Sequence, residues 1–185
     1  SHDGNISLSW TNPGSFTTFQ IEEQVGSGGW NFIGTTGSAG FSPPNRADGT
    51  YNYRIQYCIT LPISPFNTIC TETSNTDQVV VTRPPGMPIS ISNPGGDDNG
   101  AFSVSWSTAS GVSPTYTLER ENNGSGSWTS IYTGTSLSTN VVTGLADGSY
   151  KFRVKACNVG GCSLPKVSTA TLVANKPGVP GTIIG

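Results

Sequence analysis

The stretch Leu145-Ala146-Asp147-Gly148-Ser149-Tyr150-Lys151-Phe152-Arg153-Val154-Lys155-Ala156-Cys157 constrains the fold most tightly. An Asp-Gly turn opens into a run in which Tyr150, Phe152, Val154 and Ala156 alternate with Lys151, Arg153 and Lys155. Side chains alternate across a strand, so the run predicts one apolar face on a core and one charged face in water. Asp48-Gly49-Thr50-Tyr51-Asn52-Tyr53-Arg54-Ile55-Gln56-Tyr57-Cys58 repeats the pattern, with Tyr51 standing 99 residues before Tyr150. Each copy ends in a cysteine.

The rest of the chain is duplicated with it. Ile6-Ser7-Leu8-Ser9-Trp10 matches Phe102-Ser103-Val104-Ser105-Trp106 at an offset of 96. Phe19-Gln20-Ile21-Glu22 matches Tyr116-Thr117-Leu118-Glu119 at 97, and Gly26-Ser27-Gly28-Gly29-Trp30 matches Gly124-Ser125-Gly126-Ser127-Trp128 at 98. The offset grows by single residues, as loops of slightly different length produce. A period this long predicts tandem domains, since solenoid repeats are shorter.

Each copy reads as short strands between turn residues. Further strands are expected at Trp30–Ile33 and Trp128–Tyr132, near 138–143, at Asp77–Val81, and at Val167–Leu172 as one continuous strand. Nowhere do apolar residues recur at helical spacing. Seven short strands in roughly 100 residues predict a sandwich of two antiparallel sheets. The boundary is Arg83-Pro84-Pro85-Gly86-Met87-Pro88, read as a short, stiff connector, with the first strand of copy two near Ile89–Ser92.

Composition supports this class. Of 185 residues, 34% are hydrophobic and 11% charged, and 4 Trp, 6 Tyr and 7 Phe set the chain apart from disordered sequences. The 24 Gly and 13 Pro punctuate turns. A net charge of −2 argues against binding nucleic acid by phosphate neutralisation. No apolar run is long enough to cross a bilayer and no signal peptide is visible. Ser1-His2 has the look of a vector-derived scar, which would make the one histidine, His2, foreign.

These residues resemble the fibronectin type III family. Its pattern is a tryptophan early in the sandwich, an apolar-x-apolar strand after it, then Leu145 and Gly148 ahead of Tyr150-x-Phe-x-Val-x-Ala. The resemblance implies two tandem immunoglobulin-like β-sandwiches of seven strands each. It also implies that Tyr51 and Tyr150 are corner tyrosines whose hydroxyls bond back to upstream backbone. The Leu-to-Tyr spacing is one residue shorter than in the vertebrate form. In copy one Arg46 stands where the leucine belongs, so that corner is expected to pack differently. The wording Asp-Gly-x-Tyr…Cys-Asn…Gly-Cys is similar to bacterial members in secreted or cell-surface multidomain proteins.

Four cysteines allow three connectivities. Cys58 with Cys70, and Cys157 with Cys162, keep both partners inside one domain at facing strand ends. Each pair would clamp a hairpin, the tight one contributing roughly 2 kcal/mol and the wider one about 3. Disulfides would imply the periplasm, the cell surface or the medium. Free buried thiols and zinc are the alternatives; zinc needs four ligands at one point, whereas these pairs sit in different domains.

Candidate chemistry is sparse. Without a native histidine the usual base for a nucleophile is missing. Glu22 and Glu23, or Glu119 and Glu121, could act as paired carboxylates, but Glu22 and Glu119 fall on the outward face of a strand and read as solvated surface. Asp97-Asp98-Asn99-Gly100 could hold calcium; it reads as a turn, as does Asp3-Gly4-Asn5. Trp30 and Trp128 could stack on sugar rings, yet their shared repeat position favours packing across the sheet. Trp10 and Trp106 are assigned to the cores. Asn5-Ile6-Ser7 and Asn123-Gly124-Ser125 match the glycosylation sequon, which a bacterial source would make irrelevant.

The ends break the repeat. Copy one starts near its second strand and lacks its first, the A strand. Pro177-Gly178-Val179-Pro180-Gly181-Thr182-Ile183-Ile184-Gly185 imitates Pro85-Gly86-Met87-Pro88-Ile89-Ser90-Ile91, the approach to that strand in copy two. The expected organisation is therefore domain 1 at 1–83, domain 2 at 84–176, and a linker with the A strand of a following repeat at 177–185, cut from a longer array. Such an array is expected to space or present other domains as a non-catalytic module without cofactor or metal; adhesion or carbohydrate binding through loops and exposed aromatics is the alternative. The expected partners are neighbouring domains of the same polypeptide, with protein or glycan beyond them, no nucleic acid and no membrane insertion. Strand-swapped self-association through residues 177–185 is a further expectation, because exposed edges invite strand addition.

Overall fold

The computed structural model describes residues 1–12, 14, 18–60, 68–140, 144–178 and 181, among which there are strands, turns and loops but no helix. The protein is all-β and divides into two compact units, Ser1–Arg83 and Pro84–Gly185. The segment 177–185 is grouped with the second unit, and its residues 179–180 and 182–185 lie outside the described residues.

In the first unit the strands are β1 (Leu8–Ser9), β2 (Thr18–Val25), β3 (Trp30–Thr36), β4 (Gly40–Phe41), β5 (Gly49–Thr60), β6 (Thr68–Cys70) and β7 (Asp77–Val81). The larger sheet runs β3-β2-β5, with β6 and β7 both on the far side of β5, and β1 pairs with β4 in a second sheet. In the second unit they are β8 (Ile91–Ser92), β9 (Gly96–Asp97), β10 (Ser103–Trp106), β11 (Thr115–Asn122), β12 (Trp128–Gly134), β13 (Ser138–Asn140), β14 (Gly148–Asn158), β15 (Gly161–Cys162), β16 (Lys166–Val167) and β17 (Thr171–Val173). Here one sheet runs β12-β11-β14-β17-β9, with β15 and β16 also on β14, and the other runs β13-β10-β8.

The alternating stretches are β5 and β14. Their inward residues Tyr51, Tyr53 and Ile55, and Tyr150, Phe152, Val154 and Ala156, are buried with Phe19 and Ile21, or Tyr116 and Leu118, from the adjacent strand. Both corner tyrosines close a backbone loop: the Tyr51 hydroxyl donates to the Ala47 carbonyl at 3.0 Å and Tyr150 to Ala146 at 2.9 Å.

The last strand of each sandwich departs from the expected single run. Between Val167 and Thr171 the strand breaks at Ser168. The Ser168 amide donates to the Phe152 carbonyl, while the Ser168 Oγ, not a backbone carbonyl, accepts the Phe152 N–H at 3.0 Å. Ser163 does the same for Ala156, and in the first unit Thr71 serves Tyr57 and Ser74 serves Ile55. A short hydroxyl side chain standing in for a carbonyl lets the edge strand carry an extra residue without orphaning a buried amide. The strand expected near 138–143 is β13, and its residues 141–143 lie outside the described residues.

The first strand of the second unit is divided too. β8 pairs with β10, and the chain then crosses to lay β9 parallel to β17. Asp97 therefore belongs partly to a strand, not only to the turn that the sequence suggested. Pro85 and Pro88 are buried, and the Gly86 amide donates to the Ser110 carbonyl, so the proline segment packs on the second unit instead of hanging as a bare connector. In the first unit Ser1 alone takes the place of β9: its ammonium donates to the Val80 carbonyl and its carbonyl accepts the Thr82 amide. No described residue pairs with β1 on the side where β8 lies against β10.

The turns before β1 and β10 dock on the corners. Gly4 (φ 79°) and Gly100 (φ 67°) accept the amides of Arg46 and Leu145, and a Cβ at either would lie 2.2 Å from the Arg46 carbonyl oxygen or 2.5 Å from that of Leu145. Only glycine fits.

Arg46 explains how the first corner differs. Its Nε donates to Glu23 Oε2 at 2.6 Å, and the Tyr53 hydroxyl donates to the same oxygen at 2.7 Å. The corresponding residues of the second unit are Leu145, Phe152 and Arg120, which stands opposite Phe152 as Glu23 stands opposite Tyr53 and lies over the Tyr150 ring; the next residue, Glu121, accepts the Gly126 amide at 2.6 Å. Three positions have changed together. Arg46→Leu leaves the Glu23 carboxylate buried without its cation, and is expected to cost the first unit about 3 kcal/mol. Denaturant unfolding should show that transition weakened with the second unit's unchanged, and Arg46→Leu/Glu23→Leu should recover most of the loss.

Candidate functional site

The cysteines form two disulfides, Cys58–Cys70 and Cys157–Cys162. Each joins register partners at the end of the long strand, β5 with β6 and β14 with β15. The hairpin tips beyond them carry exposed apolar residues, Ile59 and Ile69 in the first unit and Val159 in the second, and Leu164, just past the second disulfide, is exposed too. No cysteine is free among the described residues, and no cluster of metal-ligating side chains occurs among them.

Trp30 and Trp128 begin β3 and β12 and lie half-buried on the outward face of the larger sheets. Each ring carries a guanidinium on one face, Arg54 at 4.2 Å from the Trp30 centroid and Arg153 at 4.5 Å from that of Trp128. The arginines are themselves held, Arg54 Nε by Glu22 at 2.7 Å and Arg153 Nε by Glu119 at 2.5 Å. Lys155 adds a longer contact to Glu119 at 3.9 Å. Both units build this Glu–Arg–Trp stack at a register shift, between Ile21 and Glu22 and between Leu118 and Glu119; a bulge re-aims a side chain in this way. With one face taken by an arginine, the ring is a piece of the sheet surface and a poorer platform for a sugar.

The carboxylates are likewise committed. Glu22 and Glu119 are ion-paired and only 23% and 14% exposed, not the freely solvated groups that strand alternation suggested. Glu23 and Glu121 are buried in the bonds described above. Asp97 Oδ1 accepts the Asn99 and Ala101 amides, and Asp98 pairs with Lys176, so this cluster is a turn. In the first unit Asp3 stands where Asn99 stands, accepting the Asn5 amide as Asn99 accepts that of Ala101, and the Asn5 amide and side chain, followed by Ser1, hold its carboxyl down at about 2. The Asn5 and Asn123 side chains are both engaged in the fold, Asn5 with Asp3 and Asn45 and Asn123 with the Ser149 amide.

One further surface belongs to the first unit alone among the described residues. In the first unit a groove of ≈ 300 Å³ runs between β1 and the segment 74–79, floored by Tyr53, Arg54 and Ile55 and edged by Leu8, Trp10 and Val79. Trp10 is half-exposed there, whereas Trp106 is buried and has Ile91 of β8 opposite it.

Burial, then the hydrogen bond and charge of Glu23, push the Tyr53 phenol well above the ordinary tyrosine value. The neutral phenol is the form the fold favours. Its contribution is complete below the unfolded pKa of about 10 and is lost as pH rises toward the folded one. Ultraviolet titration should therefore show one tyrosine ionising late, with the first unit losing stability above pH ~10; Tyr53→Phe should remove both effects.

No family model matches the chain, and no curated protein matches it. Among solved structures it is similar to a two-domain fibronectin type III segment of chicken tenascin, with 17% identity, a TM-score of 0.49, and coverage of 90% of this chain and 91% of that one. It is similar also to the FN1-FN3 domains of chicken CNTN1 (17%, TM-score 0.45) and to a segment of titin domains (16%, TM-score 0.49). It covers 63% and 60% of the length of those two chains.

Proposed function

We propose that the chain is a non-catalytic spacer and interaction module, a tandem fibronectin type III array within a large extracellular bacterial protein. The observation that carries this reading is the repetition of one device: a sandwich whose long strand ends in a disulfide to the neighbouring strand, built twice in one chain. Structural disulfides persist in oxidising compartments, which supports the periplasm, the cell surface or the medium. The charged and aromatic side chains that could have formed a reactive site are spent on internal bonds: Glu22 and Glu119 on arginines, Glu23 on Arg46 and Tyr53, Trp30 and Trp128 under guanidinium groups. The bacterial assignment rests on the Asp-Gly-x-Tyr…Cys-Asn…Gly-Cys wording.

Two measurements test this. Alkylation of protein taken from its native source without reductant should leave all four cysteines unmodified; four labelled thiols would remove the extracellular assignment. On a glycan array the protein should retain no sugar. Retention that Trp128→Ala abolishes, with melting unchanged, would replace the spacer by a carbohydrate-binding module.

A further inference from the structure

We infer that the Cys157–Cys162 disulfide is a reducible clamp on the proline segment of the second unit: a dithiol opens it at Cys162 ahead of Cys58–Cys70, and the opened turn releases Pro84–Gly86. Three segments of that unit meet beside this disulfide. The first is the turn it closes, in which Cys157 and Cys162 are register partners and so are Asn158 and Gly161. The second is the loop before β11, which the Asn158 side chain ties to the turn by donating to the Val112 carbonyl at 3.2 Å, while its Oδ1 accepts the Gly160 amide at 2.8 Å. The third, the proline segment, lies against both. A Cβ on Gly161 would stand 3.2 Å from Pro84 Cγ, and one on Gly111 would stand 3.1 Å from Pro85 Cα, so both prolines rest where glycine alone leaves room. The Gly86 amide then donates to the Ser110 carbonyl at 2.9 Å. One wall of the proline seat is thus held by the disulfide, and the other is tied to that wall by Asn158.

The two disulfides differ in access. Cys162 is exposed and Cys157 half-buried, whereas Cys58 is buried and Cys70 half-buried. Thiol–disulfide exchange needs a thiolate to reach a sulfur, so a dithiol attacks the Cys162 Sγ first. The Sγ–Sγ bond breaks, a mixed disulfide forms on Cys162, and Cys157 leaves as a thiolate that takes a proton from water. The second thiol of the reductant closes on the mixed disulfide and releases Cys162. Two electrons have then passed to the cysteine pair, and the dithiol has become a cyclic disulfide. Cys157–Cys162 spans 5 residues of chain against 12 for Cys58–Cys70, so opening it returns less entropy to the unfolded state. One step further along the pair, the Ser163 amide donates to the Ala156 carbonyl and the Ser163 Oγ accepts the Ala156 amide. These bonds keep the two thiols near each other, so the clamp can close again.

The test is a dithiothreitol titration of the full chain, read by thiol alkylation with peptide mass mapping and then by residue-resolved amide exchange on the partly reduced protein. Cys157 and Cys162 are expected to label at about one tenth of the dithiothreitol that Cys58 and Cys70 require. In that state the Gly86 amide is expected to exchange about tenfold faster, with the Phe152 and Val154 amides of β14 unchanged. The Cys157→Ser/Cys162→Ser variant should show the same fast Gly86 exchange with no reductant present. Labelling of Cys58 and Cys70 before the other pair, or together with it, overturns the proposal. So does a Gly86 amide that keeps its rate in the reduced wild type. Loss of protection at Phe152 and Val154 in either protein overturns it too, because the disulfide would then be a staple of the whole unit and not a clamp on one segment.

Discussion

Each unit depends on one strand being bonded along both sides while one of its faces is buried. β5 and β14 are flanked by β2 and β11 in unbroken register, and on the other side by an edge that changes step. A buried amide without a partner costs about 1–3 kcal/mol, so the changes of step would be expensive if they opened the ladder. They do not, because Thr71, Ser74, Ser163 and Ser168 turn their hydroxyls to the amides of Tyr57, Ile55, Ala156 and Phe152. Each hydroxyl in turn donates a hydrogen bond to the next carbonyl along the edge, that of Glu72, Asn75, Leu164 or Thr169. The edge is thus irregular and satisfied at once. Irregular edges also resist unplanned pairing with other chains.

Much of this was legible in the sequence and some was not, for physical reasons. Alternation in Tyr150–Ala156 reveals burial because a strand has only two faces, and the creeping offset between copies reveals two domains because loops absorb length differences more readily than strands do. The division of the last strand was not legible: Ser168 and Ser74 look like ordinary turn or strand residues until their hydroxyls are seen replacing carbonyls. The replacement of Leu145 by Arg46 was visible as a departure, but its compensation lay in Glu23 and Tyr53, which are distant in sequence. The Arg54–Trp30 and Arg153–Trp128 stacks had a signal in the repeated Glu, Trp and Arg positions. Reading it needed the register that sets Glu22 opposite Arg54 and Glu119 opposite Arg153.

The two units show alternative solutions to one packing problem. The second fills its corner with Leu145 and Phe152; the first fills it with an ion pair and a phenol. A buried ion pair gains little over an apolar pair of similar volume, so the difference bears on the specificity of the corner more than on its stability. Conversely, the disulfides, the corner tyrosines, the glycine turns at Gly4 and Gly100 and the outward Glu–Arg–Trp stacks are common to both. What is held constant is the framework, and that is the pattern of a domain valued for being stable and repeatable.

Amide hydrogen exchange resolved residue by residue tests the bonded central strand most directly. The amides of Ile55, Tyr57, Phe152 and Ala156, whose acceptors are side-chain hydroxyls, should exchange as slowly as the carbonyl-bonded amides beside them in β5 and β14. Exchange of these four at the rate of the surrounding loops would contradict it, because the edge would then be open at every change of step.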